Sequence, residues 1–136
     1  MDQASTLIPC VLYRDAPMAM AWLCQVFGLR EQLRVPGEGG SIQHAQLVHG
    51  GGMLMLASLK EGEYGRHLRD PRQVGGNTQG IYLLLADVDA AYARVQQGGG
   101  EILIPLRDEE YGGRGFTCRD PQGQLWSVGS YDPWAE

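Results

Sequence analysis

The most constraining feature of this 136-residue chain is an internal repeat at a fixed offset. Asp15, Gly28 and Gly51 each recur 72 residues later, without a gap. The matching residues are Asp87, Gly100 and Gly123. Asp is a common helix N-cap, whereas Gly ends helices and forms tight hairpin turns. Because a cap, a helix end and a turn recur together, we expect one structural unit to occur twice.

Each repeat predicts the element order βαβββ. The first repeat predicts strands at 7–13, 29–35, 41–48 and 53–58, with a helix between Asp15 and Gly28. The second predicts strands at 79–86, 101–107, 114–119 and 124–131, with a helix between Asp87 and Gly100. We therefore expect an α+β fold in a single domain, 1–136. Its parts are module 1 at about 7–58, a polar and flexible crossover at 59–78, and module 2 at about 79–131.

Charge and hydropathy exclude several classes of partner. The net charge is −5 and the 11 basic residues are scattered, so a nucleic-acid partner is not expected. The longest apolar run, 81–86, is far shorter than the roughly 20 residues that span a bilayer, and no membrane partner is expected. The three cysteines form no CxxC pair and the N-terminal segment lacks a secretory pattern, which favours the cytoplasm.

Three stretches carry a family resemblance. They are GIYLLLADVDAAYARVQQGGGEI at 80–102, YGGRGFTCRDPQGQLWSVGSY at 111–131, and IQHAQLVHGGGMLMLAS at 42–58. With these motifs the chain resembles the vicinal oxygen chelate superfamily, the group of glyoxalase I, bleomycin-resistance proteins and extradiol dioxygenases. The resemblance implies a curved mixed sheet around a cleft, and a homodimer in which modules pair or are exchanged.

The resemblance also implies four positions for metal ligands, on the first and last strands of each module. These positions hold Ile8, Met55, Gly80 and Ser127. None of them carries the imidazole or carboxylate that hard or borderline divalent cations require. We therefore expect no metal and no other cofactor, and no chemistry that depends on a metal as Lewis acid or oxygen activator.

Strand alternation predicts which side chains line the cleft. A two-residue turn at Pro121–Gln122 predicts Ser127 opposite Phe116, with Arg114 opposite Gly129. The same pattern in module 1 predicts His44 beside Met55 and Gln46 beside Met53. The predicted ligand-binding residues are His44, Gln46, Met53, Met55, Tyr82, Arg114, Phe116, Ser127, Tyr131 and Trp134. Two methionines would let this apolar and aromatic wall adapt to irregular ligands.

Several chemically suggestive residues have a structural interpretation that we favour. By parity Trp126 lies beneath the helices, and Trp22 recurs at helical spacing, so both are expected in the core. Cys10 and Cys118 could meet in the cleft, but buried and inert thiols are the more common case. No residue is assigned a catalytic role.

Four of the predicted ligand-binding residues keep two interpretations each. His44 could transfer protons, although a hydrogen-bonding role is favoured because no carboxylate or nucleophile is paired with it in the sequence. Arg114 could bind an anionic ligand or form an internal salt bridge. Tyr131 and Trp134 could close the cleft or pack on a partner subunit.

The sequence thus predicts a metal-independent protein that binds a small molecule, either a drug or a hydrophobic metabolite, by sequestration. The alternative is a glyoxalase-like lyase, isomerase or dioxygenase that uses a non-standard metal site, or His44 as an acid or base. A third possibility is an interaction module whose own side chains fill the cleft.

Overall fold

The computed structural model describes residues 4–135. The chain divides into two compact units, the first ending at Val74 and the second beginning at Gly75. Each unit contains a four-stranded mixed sheet and one long helix. The α+β architecture of two tandem βαβββ modules is therefore confirmed, with one sheet in each unit.

The first unit contains β1 (Cys10–Tyr13), α1 (Ala16–Phe27), β2 (Arg30–Pro36), β3 (Ile42–His49), β4 (Gly52–Ser58) and the short α2 (Pro71–Val74). The second contains β5 (Gly80–Leu84), α3 (Val88–Gln97), β6 (Glu101–Asp108), β7 (Arg114–Arg119) and β8 (Leu125–Gly129). The strand orders are β1-β4-β3-β2 and β5-β8-β7-β6. In both sheets the first strand runs parallel to the last, and the other pairs are antiparallel.

The helix caps follow the sequence pattern closely. Asp15 accepts a hydrogen bond from the Met18 backbone N–H at 3.1 Å, and Asp87 accepts one from Ala90 at 3.0 Å. Gly28 ends α1 with a left-handed φ of 75°. The end of α3 differs from the prediction, because the left-handed residue there is Gly99, with φ 85°, and not Gly100.

Each long helix packs on one side of its own sheet. In the first unit the core includes Leu23 and Phe27 of α1 with Leu47 and Leu56 of the sheet, and Trp22 packs edge-on to Phe27 at 5.2 Å. In the second, the buried residues are Val88, Ala91, Val95, Phe116, Cys118, Trp126 and Val128. The core assignments of Trp22 and Trp126 are confirmed. We call the opposite side of each sheet, turned away from its long helix, the distal face.

The two long hairpins differ by one residue. The turn between β3 and β4 has two residues, since His49 pairs with Gly52. In the second unit the last ladder pair is Arg119 with Leu125, and residues 120–124 form the connection. Gln46 lies beside Met55, whereas Thr117 lies beside Ser127, so the offset is 72 on the last strand but 71 on its partner. The gapless repeat is therefore wrong within this hairpin.

The buried carboxylate of Asp120 organises the longer turn. Its Oδ1 accepts the backbone N–H groups of Gln122 and Gln124, both at 3.0 Å. Its Oδ2 accepts the indole N–H of Trp126 at 3.1 Å. These three bonds hold one more residue in the turn than a two-residue loop at 121–122 would contain, and this sets the register of β7 against β8.

The shift in register corrects two predicted cleft residues. Phe116 lies opposite Val128 and not Ser127, and its ring packs edge-on to Tyr92 of α3 at 5.1 Å. Arg114 is also on the helix side, where its guanidinium binds Asp89 at 2.9 Å and Asp108 at 3.0 Å. The salt-bridge interpretation of Arg114 is thus the correct one, because a one-residue slip moves every side chain of a strand to the other face.

The pairing in the first unit is shifted by two residues from the prediction. Met55 lies beside Gln46 and Met53 beside Val48, so His44 is not the neighbour of Met55. A shift of two preserves the face, because side chains alternate with a period of two. Gln46 and both methionines therefore remain on the distal face, as predicted.

The first part of the predicted crossover is held against the first unit. Asp70 is buried, and its Oδ2 lies 2.8 Å from Nε of Arg14, which follows β1. The Asp70 Oδ1 also accepts the backbone N–H of Arg72 at the start of α2. The expected flexible connector is therefore folded as far as Val74. Within residues 4–135 no helix is long and apolar enough to cross a membrane.

Replacing the turn carboxylate should destabilise the second unit. In Asp120→Ala we expect the free energy of unfolding to fall by about 3 kcal/mol, since three donors lose their acceptor and each buried donor left unpaired costs about 1–3 kcal/mol. Urea unfolding followed by Trp fluorescence measures this. The matched control is Asp132→Ala, because the Asp132 carboxylate accepts only the N–H of Trp134 in the exposed tail. Equal losses in the two variants would contradict the role of Asp120.

Candidate functional site

The distal face of the first sheet combines apolar side chains with a short polar chain. The register places Cys10 of β1 and Gln46 of β3 on either side of Met55. Leu33 of β2 lies beside Gln46, and Met53 lies two residues before Met55 on the same side. Met53, Met55 and Gln46 are each partly buried. Such a surface, mostly apolar with a few placed polar groups, is typical of small-molecule sites.

The polar groups of this face form a continuous hydrogen-bonded chain. The Nε2–H of His44 donates to Oε1 of Gln46 at 2.8 Å, and Nε2 of Gln46 donates to Oε1 of Gln32 at 2.7 Å. Both contacts fix the orientation of the Gln46 amide, while the imidazole and the Gln32 amide at the two ends retain hydrogen-bonding capacity. The chain could therefore orient a polar group of a bound ligand.

Gln32 was not among the predicted site residues. It joins the chain because β2 is irregular between Glu31 and Leu33, where one residue is skipped in the pairing with β3. A β-bulge of this kind redirects side chains locally. The sequence of this strand carries no glycine or proline at the bulge that could have indicated it.

The distal face of the second sheet is built from hydroxyl groups and an aromatic ring. Tyr82 lies beside Ser127, and the Ser127 hydroxyl is 3.0 Å from that of Thr117. The Tyr82 hydroxyl donates to the backbone carbonyl of Tyr131 at 2.7 Å. Its ring covers Gly129, where an added Cβ would lie 2.6 Å from the Tyr82 oxygen. Burial is the main reason that the pKa of Tyr82 is raised above its usual value.

The structure therefore brings the predicted site residues together in two separate groups. His44, Gln46, Met53 and Met55 share the distal face of the first sheet. Tyr82 and Ser127 share that of the second, and Tyr131 packs edge-on to Tyr111 at 5.0 Å near them. Phe116 and Arg114 belong to the helix side of the second sheet, as described above. The Trp134 side chain in the C-terminal tail is 90% exposed.

The three free thiols lie in different environments. Cys10 is exposed on β1, which corrects its expected burial, whereas Cys118 is fully buried beneath α3. The two cannot meet on one face, because Cys118 is on the helix side of its sheet. Burial, with a smaller effect of the Asp120 charge, raises the pKa of Cys118 to about 12. Burial is also the largest cause of the raised pKa of Cys24 on α1.

These observations place the chain in a known family. The family model described as the Glyoxalase/Bleomycin resistance protein/Dioxygenase superfamily matches residues 6–128, which is most of the chain. The tandem modules and the strand orders agree with that match. The protein belongs to this superfamily.

Individual relatives span nearly the same length. An uncharacterized protein of Mycobacterium bovis is 32% identical over 123 residues, covering 90% of this chain and 81% of the relative. The crystal structure of TioX from Micromonospora sp. ML1 is 33% identical with a TM-score of 0.70, covering 93% of this chain and 98% of that chain. FosX of Listeria monocytogenes, a fosfomycin resistance protein, shares the fold at 16% identity and a TM-score of 0.67, with 98% and 94% covered.

The four metal-ligand positions implied by the family resemblance can be tested on the strand register. Cys10 pairs with Met55 and Tyr82 pairs with Ser127, so the offset of 72 holds across both parallel ladders. The positions of Met55 and Ser127 are therefore equivalent. A thioether and a hydroxyl, with Ile8 and Gly80 as the other two, do not suit a hard divalent cation. Within residues 4–135, no three His, Cys, Asp or Glu side chains form a group able to hold a metal ion.

The environments of the thiols predict their reactivity. With a thiol reagent at about pH 8, we expect Cys10 to react rapidly and Cys118 only after unfolding, because the buried thiol is neutral and inaccessible. Mass spectrometry of labelled peptides over time measures this. The folded protein should also lose stability between the ordinary thiol pKa of 9.0 and about 12, since only the unfolded chain ionises Cys118 there. Labelling of Cys118 as fast as Cys10 would contradict the register of β7.

Proposed function

We propose that this protein is a metal-independent small-molecule binding protein that sequesters a drug or hydrophobic metabolite. The observation that carries the proposal is the distal face of the first sheet. There Met53 and Met55 lie beside the hydrogen-bonded chain of His44, Gln46 and Gln32. Apolar contact supplies affinity for such a ligand, and the polar chain orients it.

The chemistry of the two methionines supports a ligand of irregular shape. Their side chains are unbranched and polarizable, and they adapt to different apolar partners at little cost. Gln46 is fixed between two partners, so it presents a defined edge beside this adaptable surface. The combination favours binding without demanding a reacting group.

The enzymatic alternative, a lyase, isomerase or dioxygenase with a displaced metal site, has less support. His44 is the residue on which acid or base catalysis would depend. Its described partner is the neutral amide of Gln46, whereas an activated imidazole is usually oriented by a carboxylate. Loss of the usual ligand types at the four family positions argues in the same direction.

We further propose that the protein acts in the cytoplasm as a homodimer, with no nucleic-acid or membrane partner. A net charge of −5 supports this, because phosphate backbones and anionic membranes attract basic surfaces. Closed homodimers are the commonest soluble oligomers, and the family resemblance implies one.

Binding of an apolar probe should not depend on a metal. We expect 1-anilinonaphthalene-8-sulfonate, or a hydrophobic drug from a panel, to bind the chelator-treated protein as tightly as the untreated protein. In Met55→Asp the affinity should fall at least about tenfold, or about 1.4 kcal/mol, because a charged group is placed in the apolar surface. Isothermal titration calorimetry measures both affinities.

The matched control for this experiment is Met18→Asp, since Met18 lies on α1 and is 58% exposed. Its affinity should equal that of the unmodified protein, and circular dichroism should show that both variants are folded. If no member of the panel binds, and activity appears only when Ni, Zn or Mn is added, the enzymatic alternative is correct.

The oligomeric state can be measured directly. Size-exclusion chromatography with light scattering should give a mass about twice the 14.9 kDa of one chain. A single species near 14.9 kDa over the whole accessible concentration range would rule out the homodimer.

A further inference from the structure

Three sulfur atoms lie near one another at the β1 edge of the first sheet. The parallel register places Cys10 directly beside Met55. Adjacent strands are about 4.8 Å apart, and residues two apart on one strand are separated by about 6.6 Å. Met53 is therefore the next residue along the same face of β4. β1 is an edge strand, so Cys10 lies at the border of this face.

The direction of the Cys10 side chain strengthens this arrangement. Its Sγ lies 3.9 Å from the carbonyl oxygen of Ile8, so the thiol points back along β1. Continuing the parallel register places Ile8 level with Met53, and the Met55 N–H bonds to the carbonyl of Pro9 between them. The thiol of Cys10 is thus directed toward the interval between the two methionines.

A thiolate and two thioethers form a soft donor set. Such donors select soft, monovalent cations such as Cu(I), whereas Mg and other hard cations prefer oxygen. Methionine has a long and flexible side chain, so two of them can reach one ion held by a neighbouring thiolate. Cys10 is exposed and so is open to an ion from solution.

We propose that Cys10, Met53 and Met55 form a binding site for a soft monovalent cation of the Cu(I) class. The site is distinct from the four family positions, because two of its three residues lie outside them. It does not depend on the proposed function, since no apolar ligand takes part. Occupation by a cation would however place an ion on the surface that we assign to the small molecule, and the two ligands would compete.

The test is an anaerobic titration of the full-length protein with Cu(I) in competition with bicinchoninate. We expect the unmodified protein to take up one Cu(I), and X-ray absorption to show a coordination shell of sulfur only. In Cys10→Ser, and in Met53→Leu with Met55→Leu, the affinity should fall by more than about tenfold, the scale on which metal sites respond to lost supporting groups. Leu conserves the volume and apolar character of Met, so folding should be preserved.

The chain offers a control for each donor type. Cys24→Ser removes another free thiol, and Met18→Leu removes an exposed thioether of α1, so neither should change the Cu(I) affinity. Four results would overturn the proposal: no uptake against bicinchoninate, an effect of either control equal to that of Cys10→Ser, no effect of the paired methionine replacement, or Zn(II) binding as tight as Cu(I). The probe-binding assay is independent, so failure of the cation site leaves the proposed function intact, and the reverse.

Discussion

The buried carboxylate of Asp120 determines which side chains of the second unit face which way. It accepts two backbone N–H groups of its own turn and the indole of Trp126, so the turn, the last strand and the core are tied to one side chain. A buried anion is tolerated in a protein only when it is well paired, and here hydrogen bonds from neutral donors provide that pairing. The register of β7 against β8 follows from this turn, and so do the positions of Phe116, Thr117 and Ser127.

Much of the fold could be predicted because local signals agreed with the tertiary structure. Asp15 and Asp87 cap helices through contacts within one turn of chain, and Gly28 ends a helix by its own backbone geometry. Trp126 was placed in the core by parity alone. These features depend on near neighbours in the sequence, which is where pattern reasoning is strongest.

The parts of the candidate site that were mispredicted depend on contacts between strands. A two-residue turn at Pro121–Gln122 fits the sequence, and only the acceptor role of Asp120 toward Gln124 shows that the turn is longer. In the first unit the error was two residues, which keeps the face, so Gln46, Met53 and Met55 were still assigned correctly to the distal face. Gln32 depends on a bulge in β2 that no residue type marks. Register is a property of two strands together, and one strand's sequence specifies it weakly.

The two parallel ladders act as matched rulers. Cys10 and Met55 occupy on the first the places that Tyr82 and Ser127 occupy on the second, with the same neighbours above and below. Backbone geometry has thus been conserved between halves whose side chains are chemically unlike, one rich in sulfur and the other in hydroxyl groups. A pair of side chains could be transplanted from one half to its equivalent position in the other without redesigning the backbone, which makes each half a ready template for engineering the other.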